Sequence, residues 1–156
     1  MSETKYWLFK SEPNNYSFLN LLSEENQIAE WDGVRNYQAR NFMRDQMRIG
    51  DKVLFYHSST KIPAVIGTAI IVKESYPDFT AWDSGQKYFD PKSNPDDPTW
   101  LMVDIQAEKT FKTPVTLQDI KSNPKFANMM LVKRGVRLSV QPITQTEYNE
   151  IVKLGE

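Results

Sequence analysis

The feature that most limits what this chain can form is a nearly uninterrupted apolar segment, AVIGTAIIV, at positions 64–72. Valine and isoleucine are branched at Cβ and pack well on a pleated sheet, and the segment is too short to cross a bilayer. Together with the following KES, it predicts a long buried β-strand. A glycine inside such a strand, here Gly67, indicates a bulge or a close approach of two backbones.

Four further segments have the alternating or β-rich pattern of strands. They are KYWLFK at 5–10, KVLFYHS at 52–58, TWLMVDIQAEKTF at 99–111, and GVRLSVQPI, which ends as a strand at Pro142. Between them, the segment YPDFTAWDSGQKYFDPKSNPDDPTW at 76–100 combines prolines and aspartates with many aromatic residues. We expect it to be an ordered but irregular excursion, since its aromatic content is too high for a disordered linker.

Helix-start signals occur at four places. Ser17 is placed to cap a short helix over FLNLLSEE, and a second helix is predicted from about Asn36 to Met47, where apolar residues recur on one face. The other two starts are capping pairs, in which an acid follows a threonine by three residues. These pairs are Thr116 with Asp119 and Thr144 with Glu147.

The order of these elements places helices at the edges of a sheet and has no regular alternation of strand and helix. It favours the α+β class, with a small mixed β-barrel and helices at its edges. At 156 residues the chain has the usual length of one domain, so we expect a single domain over residues 1–156. The start MSETKYW lacks the pattern of a signal peptide, and the default expectation is a cytoplasmic protein, or a nuclear one in a eukaryote.

Composition argues against several kinds of site. The chain has no cysteine and one histidine, so a zinc site would need mostly carboxylates, and we predict neither a metal nor a cofactor. Its six glycines are scattered singly, which gives no support for a phosphate-binding loop. No membrane segment is predicted.

The charge is nearly balanced overall but is segregated along the chain. A net charge of −1 argues against binding nucleic acid by bulk electrostatics alone. Two segments are nevertheless locally basic: residues 33–52 are rich in arginine, and residues 121–139 contain cations and no acid. These segments could form a basic face or lie in solvated loops, and the sequence leaves both open.

The segment WDGVRNYQARNFMR at 31–44 combines a tryptophan, a glycine turn, several amides and three arginines. Aromatic rings stack on nucleobases, and the guanidinium fork fits phosphates and base edges. One interpretation is therefore the floor and rim of a pocket for a flat anionic ligand such as a nucleotide. The other interpretation is that Trp31 and Tyr37 belong to the core and the arginines are merely exposed.

His57 is the only candidate for acid–base catalysis by an imidazole. It precedes Ser58 on a predicted strand, where successive side chains point to opposite faces, so a catalytic Ser-His pair has poor geometry. We predict a half-buried histidine that hydrogen-bonds a neighbour. The alternative is a small hydrolase acting on a nucleoside or an amide, with Tyr56, His57, Ser58 and Lys61 as its local group. A protein-interaction module that uses the excursion as its docking surface is a further alternative.

Seven motifs occur in the order seen in one known family, and the chain resembles an EVE domain along nearly its whole length. The motifs are YWLFKSEPNNYSF, WDGVRNYQARNFMR, GDKVLFYHSS, YPDFTAWD, YFDPKS, PTWLMVDI and RLSVQPIT. The resemblance implies a PUA-like β-barrel related to YTH domains, which hold N6-methyladenine in an aromatic cage, and to ASCH domains. It also implies a non-catalytic module whose partner is DNA or RNA with a modified base, with 5-methylcytosine and its oxidised forms as leading candidates.

The resemblance further implies which residues build the pocket. Its base-binding part would comprise Ser11, Glu12, Pro13, Trp31, Gly33, Val34, Asn36, Tyr37, Gln38, Tyr56, His57, Ser58, Tyr76, Asp78, Leu138, Ser139, Gln141 and Pro142. In this interpretation Trp31 stacks on a flipped base, Gly33 lets backbone donors approach it, and Asn36 and Gln38 read its edge. The phosphate contacts would come from Arg35, Arg40, Arg44 and Arg48.

Overall fold

The structure is a computed structural model, and it describes residues 3–156 of the chain. Within this range six strands form one mixed sheet. They are β1 (Tyr6–Ser11), β2 (Ile28–Trp31), β3 (Lys52–His57), β4 (Ala64–Pro77), β5 (Leu101–Thr116) and β6 (Val140–Ile143). The order across the sheet is β2-β5-β4-β3-β1-β6, and β1 and β3 run parallel while the other neighbours are antiparallel.

Four α-helices connect or follow the strands: α1 (Phe18–Ser23), α2 (Tyr37–Asp45), α3 (Leu117–Lys121) and α4 (Gln145–Gly155). The predicted caps are confirmed, because Ser17, Thr116 and Thr144 each accept a hydrogen bond from the backbone N–H three residues later. Asn36 caps α2 in the same way. Among the described residues no helix is long and apolar enough to span a membrane.

Apolar side chains lie on both faces of the sheet, because the strands are apolar at successive positions. Trp7 and Phe9 of β1 enter the first core, which α1 and α2 cover with Phe18 and Met43. Leu8 between them enters the second core, which is completed by side chains of α3 and α4 such as Ile120 and Ile151. The sheet therefore separates two apolar clusters, as alternation along each strand requires.

Asp51 fastens the start of the parallel pair β1–β3. This carboxylate is 2% exposed, and it accepts hydrogen bonds from the Lys5 N–H, the Trp7 indole N–H and the Arg48 N–H at 3.0–3.1 Å. Three donors compensate the cost of burying the charge. The two strands therefore stay in register, and their carboxyl ends lie side by side at the same end of the sheet.

Gly67 confirms both features expected of it. The pairing of β4 with β5 shifts register between Val65 and Gly67, which marks a bulge. A Cβ atom at Gly67 would also collide with the carbonyl oxygen of Lys109 and the ring of Phe18. Only glycine fits this close approach.

Two elements differ from their predictions. One is β2, a strand of four residues in which Ala29 and Trp31 are buried and which the sequence pattern did not predict. The last strand is only Val140–Ile143, whereas residues 135–139 form a loop that begins with Gly135 at φ +81°. The excursion is irregular, as expected. It holds a 3-10 turn, Phe79–Ala81, and in the described residues β2 and β6 remain the two edges of the sheet.

Candidate ligand-binding cavity

A cavity of about 730 Å³ opens where the ends of β1 and β3 meet β2 and the loop before β6. Eight of the residues predicted to bind a base line it: Ser11, Glu12, Trp31, Gly33, Val34, Ser58, Leu138 and Ser139. The parallel pairing of β1 and β3 brings Ser11 and Ser58 to the same edge. The cavity thus gathers segments that are distant in sequence.

Three aromatic side chains line the cavity: Tyr16, Trp31 and Tyr88. Trp31 is 7% exposed, and its ring packs against Phe9 at 5.0 Å and edge-on against Phe55 at 5.5 Å between centroids. Trp31 therefore belongs to the first core, and it presents only a small part of its ring to the cavity. The prediction that a base stacks on a freely exposed Trp31 ring is corrected accordingly. Tyr16 and Tyr88 are half-buried and offer more of their rings.

Gly33 is needed for the wall of the cavity. It has φ +77°, and a Cβ atom there would lie 2.6 Å from the Tyr88 ring. Its N–H donates to a carboxylate oxygen of Asp78 at 2.9 Å. Gly33 was predicted to let backbone donors approach a base; its own N–H is already used by Asp78, and the missing side chain makes room for the Tyr88 ring.

Arg35 fastens the excursion to the segment after β2. Its guanidinium pairs with the fully buried carboxylate of Asp78 at 3.0 Å and donates twice to the carbonyl oxygen of Tyr88, at 3.1 and 2.6 Å. The other oxygen of Asp78 accepts from Thr80. Arg35 cannot bind a phosphate without losing these contacts, so its predicted role as a phosphate ligand is corrected. Its guanidinium instead holds the backbone of Tyr88 in place.

The remaining arginines predicted to bind phosphate lie on or after α2 and do not line the cavity. Arg40 donates to the Thr99 carbonyl at 3.0 Å, Arg44 pairs with Asp45 at 2.8 Å, and Arg48 donates to the Met47 carbonyl at 2.8 Å. Each guanidinium is thus engaged within its own neighbourhood. These arginines recur every four residues and were predicted to form a basic stripe, but the stripe does not line the cavity.

The side chains at the start of α2 also lie outside the cavity lining. The Asn36 side chain caps the helix by accepting from the Ala39 N–H at 3.0 Å. Tyr37 is 61% exposed and packs on Trp100 with 5.0 Å between ring centroids, and Gln38 is exposed. The cap therefore explains Asn36, one of the two amides predicted to read a base edge, whereas Gln38 faces solvent.

His57 has the structural role predicted for it. Its Nε2 accepts a hydrogen bond from the Phe18 N–H at 3.1 Å, and burial lowers the pKa of the imidazole. Tyr56, its neighbour on β3, is 2% exposed and belongs to the second core, on the opposite face. The local group proposed for a hydrolase is therefore split between two faces of the sheet.

Five other predicted residues are absent from the cavity lining: Pro13, Tyr76, Asp78, Gln141 and Pro142. The Tyr76 hydroxyl donates to Asp104 at 2.5 Å, and Gln141 is buried opposite Leu8 in the β1–β6 pairing. Pro142 lines a smaller cavity of about 250 Å³ at the other end of β1. Leu138 and Ser139 precede β6 and line the main cavity, whereas Gln141 and Pro142 lie within the strand and do not.

The model of the EVE domain family matches residues 5–154. The chain belongs to the EVE domain family. Thymocyte nuclear protein 1 of Mus musculus is 41% identical over 98% of this chain and 74% of its own length.

Two solved structures are similar in fold to this EVE domain, and one of them is closely similar. The human THYN1 protein in complex with DNA containing 5-methylcytosine superposes with a TM-score of 0.92 at 39% identity, over 98% of both chains. The YTH domain of the Zygosaccharomyces rouxii MRB1 protein, in complex with N6-methyladenosine RNA, gives a TM-score of 0.55 at 13% identity over 99% of this chain and 86% of its own. The second likeness shows a shared fold, and the predicted PUA-like α+β class is confirmed.

The EVE domain cavity contains residues that sequence reasoning did not identify. They are Lys10, Asn15, Tyr16, Glu24, Ala29, Glu30, Asp32, Ser59, Lys87, Tyr88, Val136 and Arg137. Tyr16 and Tyr88 both stand inside motifs that carried the resemblance. The sequence therefore contained a signal, in these motifs, for two of the three aromatic residues that line the cavity.

Both signs of charge line the cavity of the EVE domain. Four acids come from the segment between β1 and the end of β2: Glu12, Glu24, Glu30 and Asp32. Burial raises the pKa of Asp32, and the nearby Asp78 carboxylate raises it further. Burial also lowers the pKa of Lys10 at the end of β1. Within residues 3–156, no three His, Cys, Asp or Glu side chains are grouped so as to hold a metal ion.

Proposed function

We propose that this EVE domain is a non-catalytic module that binds nucleic acid and recognises a modified base, with 5-methylcytosine in DNA as the first candidate. The observation that carries this proposal is the cavity of about 730 Å³ lined by Tyr16, Trp31 and Tyr88. Stacking of a base on an aromatic side chain contributes roughly 1–3 kcal/mol. The structure of the THYN1 relative in complex with 5-methylcytosine-containing DNA supports the choice of base.

The cavity also suits the methyl group of such a base. Beside the rings it is lined by apolar side chains, including Val34, Val136 and Leu138. A methyl group that fills an apolar recess gives roughly 10- to 200-fold discrimination. A base in a duplex reaches such a recess only by leaving the stack, so we propose that the target base is flipped out.

A non-catalytic role is supported by the use of His57. Its Nε2 lone pair accepts from the Phe18 N–H, so it is not free to take a proton from a substrate while α1 stays in place. We also propose that the protein acts in the cytoplasm or, in a eukaryote, in the nucleus, where the DNA target is present.

The decisive experiment measures binding by fluorescence anisotropy at one fixed salt concentration. The probes are duplexes that differ only in the C5-methyl group of one cytosine, with oxidised cytosines and N6-methyladenosine RNA as further probes. We expect tighter binding of the methylated duplex than of the unmodified one, by roughly 10-fold or more. Equal affinity for modified and unmodified members of the whole panel would contradict the proposal.

Two tyrosine variants locate the site. Tyr88→Ala removes a ring of the cavity and should abolish the preference for the methylated duplex, because Tyr88 belongs to neither apolar core and the fold should persist. Tyr37→Ala is the matched control, since that ring is 61% exposed and lies outside the cavity. The reverse pattern, with Tyr37→Ala losing the preference, would place the site on α2.

A further inference from the structure

The loop of residues 133–137, sequence KRGVR, carries three cations and leads into the segment that lines the cavity from Val136 onward. Lys133, Arg134 and Arg137 are all exposed. Considering contacts among residues 3–156, none of the three takes part in an ion pair or donates a side-chain hydrogen bond. Their charges therefore remain available to a partner, in contrast to Arg35, whose guanidinium is fully used by Asp78 and Tyr88.

The loop is fixed relative to the cavity. Val136, Arg137, Leu138 and Ser139 line the cavity, so the loop forms part of its rim. The Ser139 carbonyl accepts from the Lys10 N–H at 2.7 Å, and the Leu138 carbonyl accepts from the Gln141 side chain at 3.0 Å. The first bond holds the segment directly after the loop against β1, and the second fixes that segment to β6. A charged group on the loop is therefore held beside whatever occupies the cavity.

The distribution of charge favours this side of the cavity for an anionic chain. The chain has no acidic residue between Asp119 and Glu147, so the loop has no acid near it in sequence. The segment from Glu12 to Asp32 brings four acids to the lining of the cavity. Carboxylates repel phosphates, whereas each cation near a phosphate releases counterions and strengthens binding.

We propose that the Lys133–Arg137 loop is the surface that binds the phosphate backbone next to the base held in the cavity, in place of the arginines of α2. The proposal rests on the proposed function, because the backbone is that of the nucleic acid whose base is recognised. Phosphate contacts fix the position of the nucleic acid but do not distinguish bases. The loop should therefore set how tightly all sequences bind, while the aromatic rings set the preference for the modified base.

The test is the salt dependence of binding by a variant in which Lys133 and Arg134 are both changed to alanine. These side chains are exposed and outside the cavity lining, so the fold and the base site should be unaffected. The slope of the logarithm of the binding constant against the logarithm of salt concentration should become shallower by about 1.8, that is about 0.9 for each lost phosphate contact on a duplex. The preference for a methylated over an unmodified duplex should stay unchanged.

The matched control changes Arg44, in α2, and Arg48, after it, to alanine, which removes the same charge from exposed positions. Its salt slope should equal that of the wild type. A loop variant with the wild-type slope, or a control with the shallower slope, would overturn this inference. If the wild type binds duplexes without preferring a modified base, the proposed function fails, while a shallower slope in the loop variant would still support the phosphate contact.

Discussion

Trp31 shows at the scale of one residue how a side chain can line a cavity and still be part of the core. It is 7% exposed and contacts Phe9 and Phe55 in the first core. The sequence left two interpretations of Trp31 open, a pocket wall and a core residue, and the structure gives it features of both. The sequence could not decide between them, because the covering rings come from β1 and β3, which lie far away in sequence.

We predict that Trp31→Ala lowers the free energy of unfolding by about 3–5 kcal/mol, as large-to-small changes of buried aromatic residues do. Urea denaturation measures this loss. Trp31→Phe keeps most of the packing and should lose considerably less stability. An alanine variant with wild-type stability but no binding of nucleic acid would show instead that the indole is an open stacking surface.

At the scale of the element, His57 links β3 to the start of α1 through the Phe18 N–H. Because burial lowers its folded pKa below 6.5, the folded state binds fewer protons than the unfolded state just below that pH. The stabilising contribution is therefore complete above pH 6.5 and decreases as the pH falls, until the folded pKa is passed. We therefore expect the free energy of unfolding to decrease as the pH falls from 6.5 to the folded pKa of His57.

The matched variant for this prediction is His57→Gln, whose amide oxygen can accept the same hydrogen bond but does not titrate. Its stability should change less than that of the wild type between pH 7 and pH 5. Thermal unfolding at a series of pH values measures both proteins. Parallel curves would show that the carboxylates, and not His57, determine the acid sensitivity in this range.

The close approach of β4 and β5 at Gly67 gives a second prediction for an element. A methyl group there would collide with the Lys109 carbonyl and the Phe18 ring, so Gly67→Ala should cost about 1–3 kcal/mol of stability. Gly85→Ala is the control, since a Cβ atom there meets only a side-chain oxygen of Asp83 at 3.4 Å. Equal stabilities in chemical denaturation would mean that β5 moves away without cost.

Helix starts were predictable from the sequence, but the extents of several strands were not. A cap such as Thr116 depends on groups within three residues, and this pattern can be read locally. By contrast, β2 is defined by its pairing with β5, in which Trp31 lies opposite Val103. Pairing across such distances depends on the whole topology. The same reason explains why Tyr88, in the middle of an irregular excursion, was not identified as a wall of the cavity.

At the scale of the whole molecule, net charge is a poor guide to how the surface is arranged. The chain has a net charge of −1, yet its two basic segments differ in use. The arginines from residue 35 to residue 48 are engaged with neighbouring groups, whereas Lys133 and Arg134 make no ion pair among the described residues. Sequence spacing identified both segments as basic, and only the positions of carboxylates and carbonyls in the fold separate them.

The division of the apolar interior by the sheet has a practical consequence. Residues of the second core, such as Ile120 and Ile151, lie across the sheet from the rings around the cavity. Changes in stability at distant, independent sites usually add. The second core is thus the place to engineer greater heat resistance, because repacking it leaves the side chains that line the cavity as they are.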